Sequence, residues 1–172
     1  LLMQAAVVAL LGFALLASSA TPALAFDPHF RLPWPMGKGY PILNLSYGYA
    51  QGDHFDYASP LYKDYYAIDF GLDPMQDVAA VQGGYATTHV GDPGFGNYVE
   101  IDHGNGFTTI YGHLTAFLIG SGRVVQGQVI AKSGCTGNCF GAHLHFSARF
   151  TDANGVKRGY MPEPMSGYTG FG

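Results

Sequence analysis

Asn97-Tyr98-Val99-Glu100-Ile101-Asp102, His103-Gly104-Asn105-Gly106 and Phe107-Thr108-Thr109-Ile110-Tyr111-Gly112-His113-Leu114 follow one another without a break. Two runs rich in β-branched and aromatic residues flank an Asn-Gly pair, the strongest short-range hairpin signal a sequence can carry. Further strands are predicted on both sides. Upstream lie Tyr66-Ala67-Ile68-Asp69-Phe70, the run Asp77 to Gln82 and, beyond Gly83-Gly84, the run Tyr85 to Val90. Downstream lie Val124 to Ala131 and His143 to Phe150, with a turn expected at Asp152-Ala153-Asn154-Gly155. The 25 glycines, 12 tyrosines and 12 phenylalanines suit short strands with many turns, and no helical period of useful length follows the N-terminal segment. The expected class is mainly β, an antiparallel sheet with long loops. Periodicity alone leaves barrel, sandwich and open sheet undecided.

A chain of 172 residues, 48 % of them apolar, is enough for one domain with a sizeable core and short extensions. The net charge of −4 offers no broad basic field, so no nucleic-acid partner is expected. Residues 1–20 are almost free of charge, and Ala23-Leu24-Ala25 supplies a cleavage pattern. Residues 1–25 are therefore read as a secretory signal, with a retained membrane anchor as the rival. Residues 26–50, with Pro28, Pro33, Pro35 and Pro41, are read as an extended arm and 51–172 as the domain. The protein is expected to be exported, periplasmic or extracellular, free of the membrane after cleavage, and monomeric. In an oxidising compartment Cys135 and Cys139 suggest a local disulfide; the rival is a zinc site using both thiolates.

Seven histidines stand at 29, 54, 89, 103, 113, 143 and 145. In Ala142-His143-Leu144-His145-Phe146 the two imidazoles fall two apart, on one face of a strand, where they can bind a metal and serve a reaction beside it. The alternative is a pair of ordinary polar-face residues. His113 is expected near the end of its strand, on the face of Tyr111 and Thr109. Asp69 sits in an apolar run, where a carboxylate is costly unless paired or metal-bound. His29, His89 and His103 are taken as structural or exposed.

The stretch from about Gly52 to Phe146 resembles the lysostaphin-type, LytM-like zinc endopeptidases of peptidoglycan. The matching pieces, in order, are His54, Ala67-Ile68-Asp69-Phe70, Gly94 to Gly106, Tyr111-Gly112-His113-Leu114, Gly127-Gln128-Val129-Ile130, Ser133-Gly134, Thr136-Gly137 and Gly141-Ala142-His143-Leu144-His145-Phe146. The resemblance implies a groove over an antiparallel sheet and a Zn2+ ion held by Asp69 and His145. It also implies His113 and His143 as catalytic residues, and peptidoglycan peptides as substrate. Many members carry the first ligand four residues before the Asp, a position held here by Tyr65. The branch similar to the staphylolytic proteases carries it further upstream. His54, fifteen residues before Asp69, is therefore the expected third ligand. A degenerate member of the same fold, acting as a cell-wall binding or regulatory module, is the alternative.

Overall fold

A computed structural model describes residues 29–43 and 64–168. The expected signal segment at 1–25 and the stretch 44–63, with His54, lie outside the described residues. Among the described residues there is no helix, and ten strands follow in chain order. They are β1 (Ile68–Phe70), β2 (Asp77–Ala79), β3 (Gly84–Asp92), β4 (Gly96–Gly104), β5 (Phe107–Tyr111), β6 (Ala116–Phe117), β7 (Gly122–Val124), β8 (Val129–Lys132), β9 (Leu144–Thr151) and β10 (Lys157–Tyr160). Every strand pair is antiparallel. A seven-stranded sheet runs β1-β9-β5-β4-β3-β7, with β10 beside β9, and a three-stranded sheet runs β2-β8-β6.

The β4–β5 hairpin turns where the Asn-Gly pair predicts. Asn105 and Gly106 both have positive φ, 51° and 83°, as a two-residue hairpin loop of this hand requires. Two expectations are corrected. The run Val124 to Ala131 is not one strand. Gly127, at φ 80°, closes a turn between β7 and β8, which belong to different sheets. The run Phe107 to Leu114 stops being a strand at Tyr111.

Register decides which residues meet. Ile68 pairs with Phe146, Tyr111 with both Phe146 and Val99, and Thr109 with Ile101. These side chains point to one face. Ile68, Phe70, Val99, Ile101, Tyr111, Leu144 and Phe146 join Val78, Ile130 and Ala131 of the smaller sheet in one core. By alternation the opposite face carries Asp69, His145, Arg149, Glu100 and Tyr98. The resemblance implies that a groove lies over that face, the groove face. Residues 29–43 lie against the core through buried Phe30 and Trp34. Pro41 and Leu43 bracket β1: Leu43 N donates to Asp69 O at 2.8 Å and Gly71 N to Pro41 O at 2.7 Å.

Beneath the sheet runs a chain of polar contacts. His103 Nδ1 donates to Gly83 O and its Nε2 meets Thr109 Oγ1, both at 2.8 Å. Thr109 Oγ1 in turn meets Tyr111 OH at 3.2 Å, and that hydroxyl accepts from Val81 N at 2.9 Å. Because the carbonyl can only accept, a neutral His103 ring must take the Thr109 hydroxyl proton on Nε2. Protonation would reverse that bond, with Thr109 Oγ1 accepting from Nε2 and its own proton passing to Tyr111 OH. Burial lowers the His103 pKa, against the opposing pull of Gly83 O and Asp102. The folded chain thus binds fewer protons here than the unfolded chain. This contribution is complete above the unfolded pKa of about 6.5 and is lost as pH falls below it. His103→Gln should therefore flatten the fall in thermal midpoint between pH 7 and pH 5. An unchanged slope, measured by calorimetry across that range, would remove His103 from the acid sensitivity of the fold.

Candidate metal and reaction site

Asp69 and His145 are Cα partners across β1 and β9. Their side chains rise together on the groove face, with His145 Nδ1 3.2 Å from Asp69 Oδ1. His143 enters just before β9, bridged to Gly134, and its Nε2 lies 3.7 Å from the same Asp69 oxygen.

The sequence expectation for the orientation of His113 is overturned. Tyr111 and Thr109 face the core, while His113 lies beyond the strand at φ 59°, in the left-handed region. A histidine held there is strained, and surrounding contacts must hold it. They do: His113 N donates to Phe95 O at 2.7 Å and its Nδ1 to Thr136 O at 2.8 Å. The reversal turns the ring over the groove face. Its centroid lies 4.4 Å from that of His143 and 5.9 Å from that of His145.

The loop holding these rings is closed by the Cys135–Cys139 disulfide. That bond overturns the rival in which the two thiolates bind zinc. Within the loop, Thr136 Oγ1 accepts from Asn97 N at 2.8 Å and donates to Leu114 O at 3.0 Å. His143 Nδ1 donates to Gly141 O at 2.7 Å. Gly96 and Gly137, at φ 66° and 74°, let the turn at Phe95 and the Thr136 loop touch backbone to backbone. A Cβ on either glycine would overlap the other loop's main chain.

Both His113 and His143 thus spend Nδ1–H on a carbonyl, which fixes the neutral tautomer and leaves Nε2 as an acceptor. Burial lowers the His113 pKa to about 4, helped by the neighbouring histidines and opposed by Thr136 O and Asp69. His113 is therefore neutral at pH 7. Burial also works against a charge on His145, but the Asp64 and Asp69 carboxylates outweigh it and raise that pKa to about 9 in the metal-free chain.

Asp64 and Arg149 were not picked out from the sequence. Arg149 Nη2 and Nε donate to Asp64 Oδ1 at 2.6 and 3.2 Å, with both side chains buried. Removing one partner of such a pair costs about 3–5 kcal/mol, because the other charge is left buried alone. Only the length of Arg149 on a buried face hinted at a partner. Of the other histidines, His89 stacks on Tyr98 at 4.3 Å with an 8° tilt, and His29 is exposed. Tyr65 packs edge-on against Tyr66 at 4.8 Å.

The donor set suits a borderline metal. Two ligands on a tetrahedral zinc, each about 2.0–2.1 Å from it, are about 3.3 Å apart, close to the Asp69–His145 separation. Among the described residues no third metal-binding side chain completes the cluster, and His54 lies outside them.

Comparison with known proteins gives the family. The model of Peptidase family M23 matches residues 63–157. The chain is 42 % identical over 82 residues to DD-carboxypeptidase/endopeptidase Mpg of Neisseria meningitidis, a match covering 48 % of this chain and 19 % of that protein. It is 49 % identical over 55 residues to peptidoglycan DD-endopeptidase ShyA of Vibrio cholerae, covering 31 % and 13 %. The chain thus spans under a fifth of the length of either relative. Among solved structures, the antimicrobial peptidase lysostaphin from Staphylococcus simulans superposes with a TM-score of 0.60 at 24 % identity, over 86 % of this chain and 56 % of that one. The family model covers more than half of the sequence, and the chain belongs to peptidase family M23.

Proposed function

We propose that this protein is an exported zinc metalloendopeptidase that hydrolyses peptide cross-links of bacterial peptidoglycan. The observation that carries the reading is the convergence of Asp69, His143, His145 and His113, from three separate segments, on the groove face. The relatives' names supply the substrate class, since ShyA is a peptidoglycan DD-endopeptidase. Peptidoglycan lies outside the cytoplasm, which agrees with the expected export.

Asp69, His145 and His54 would hold the zinc and leave one position open to water, as catalytic sites do. Bound there, zinc supplies a water acidic enough to ionise near neutral pH and polarises the scissile carbonyl. The chain's own residues do the rest. His113 and His143 present two Nε2 acceptors to one space, matching the two hydrogens of a single water. His143 takes a proton, with the Asp69 carboxylate 3.7 Å away to pair with the charged ring. His113, kept neutral by burial, orients the water through its other hydrogen. The water's oxygen bonds to the scissile carbonyl carbon, and His143 then returns its proton to the leaving amine as the C–N bond breaks.

A second reading is favoured by one observation. Tyr65 stands at the usual ligand position, so a chain without bound metal would be a binding or regulatory module for cell-wall peptides. Zinc analysis separates the two. The purified protein should hold about one zinc per chain, and Asp69→Ala, His145→Ala and His54→Ala should each lose it. Wild-type protein that retains no zinc after refolding with the metal would leave only the second reading.

The reaction histidines have a different signature. His113→Ala and His143→Ala should keep both fold and zinc while hydrolysis of a cross-bridge peptide falls by a factor of about 100 to 10,000. Zinc analysis run beside a chromogenic peptide assay reads both halves. Zinc loss in either variant would make that residue a ligand, and full activity would remove it from the reaction.

A further inference from the structure

We propose that Asp64, clamped by Arg149, is the positioning carboxylate for His145: it receives the ring's Nε2–H, so that Nδ1 is presented to Asp69 and the metal. The inference rests on the metal reading above.

The His145 ring is bracketed by two carboxylates. Asp69 stands on the Nδ1 side at 3.2 Å, and Asp64 Oδ1 on the Nε2 side at 3.9 Å. The longer separation is an ion-pair distance that a small rotation of the ring would close to a hydrogen bond. A neutral imidazole that ligates through Nδ1 must carry its proton on Nε2, and the acceptor of that proton sets both the tautomer and the ring plane. Asp64 is the carboxylate in place to accept it.

Arg149 explains why Asp64 stays there. It lies four residues after His145 on the same strand, so both side chains share the groove face. Its two N–H groups grip the one Asp64 oxygen that faces His145. The Phe95 ring lies 5.4 Å from the guanidinium carbon and 5.1 Å from the His145 ring, holding both to one side. Asp64 is thereby neutralised and kept from swinging round to ligate the metal itself. A merely structural ion pair would need no such placement against the histidine.

The test is zinc affinity, measured by chelator competition on folded protein, with circular dichroism confirming the fold. Asp64→Asn should weaken zinc binding by about 10- to 100-fold. Cobalt substituted for zinc should show a shifted visible absorption band in the variant, a readout that a structural role alone would not move. If Asp64→Asn does not fold, the double variant Asp64→Leu/Arg149→Met carries the same test, because it leaves neither charge buried alone. A folded variant with wild-type zinc affinity and an unchanged cobalt spectrum overturns the inference and leaves the metal reading standing. Wild-type protein that binds neither ion overturns both.

Discussion

The pairing of Asp69 with His145 across β1 and β9 is the constraint on which the site depends. Side chains alternate along a strand, so a slip of β1 by one residue would turn Asp69 into the core and bring Ile68 and Phe70 out beside His145, which β5 and β10 hold in place. The apolar alternation forbids that slip. Ile68, Phe70, Leu144 and Phe146 are all fully buried, and each lies next to a site residue in sequence. The core thus enforces the register, and the register places a carboxylate beside an imidazole. Phe95 and the Thr136 loop then bring His113 to the same spot.

Much of this was legible in the sequence, for reasons that can be named. The β4–β5 hairpin was readable because Asn-Gly demands two positive φ values in succession. Asp69 was readable because a carboxylate in an apolar run needs a reason, and His143 with His145 because a spacing of two puts them on one side of a strand. The orientation of His113 was not readable. A single residue in the left-handed region reverses the face, and nothing about a histidine after Tyr111-Gly112 announces it. The split between β7 and β8 falls at Gln126-Gly127-Gln128, a polar glycine turn between two short apolar pieces that the strand reading ran across. The Asp64–Arg149 pair joins residues 85 apart, and pattern reading sees no contact at that distance.

The electrostatics around the three histidines differ although the side chains are the same. His145 sits between two carboxylates and holds a proton tightly until something displaces it. His113, buried and tied to a carbonyl, resists taking one. The difference comes from what surrounds each ring within a few ångströms, as in other sites where like residues take unlike roles. It also makes uptake of a cation at His145 release a proton.

β1 is only three residues long and is flanked on its outer side by the short 41–43 segment. All three of its residues are nonetheless buried, Ile68 and Phe70 in the core, and regions with many buried apolar contacts open only when that packing opens. Asp69 rides on the short partner and His145 on the long one. On warming, the two halves of the site would therefore part only as the shared core lets go. Separation of the two side chains and loss of the fold would then be one event, with no folded but parted molecule between them.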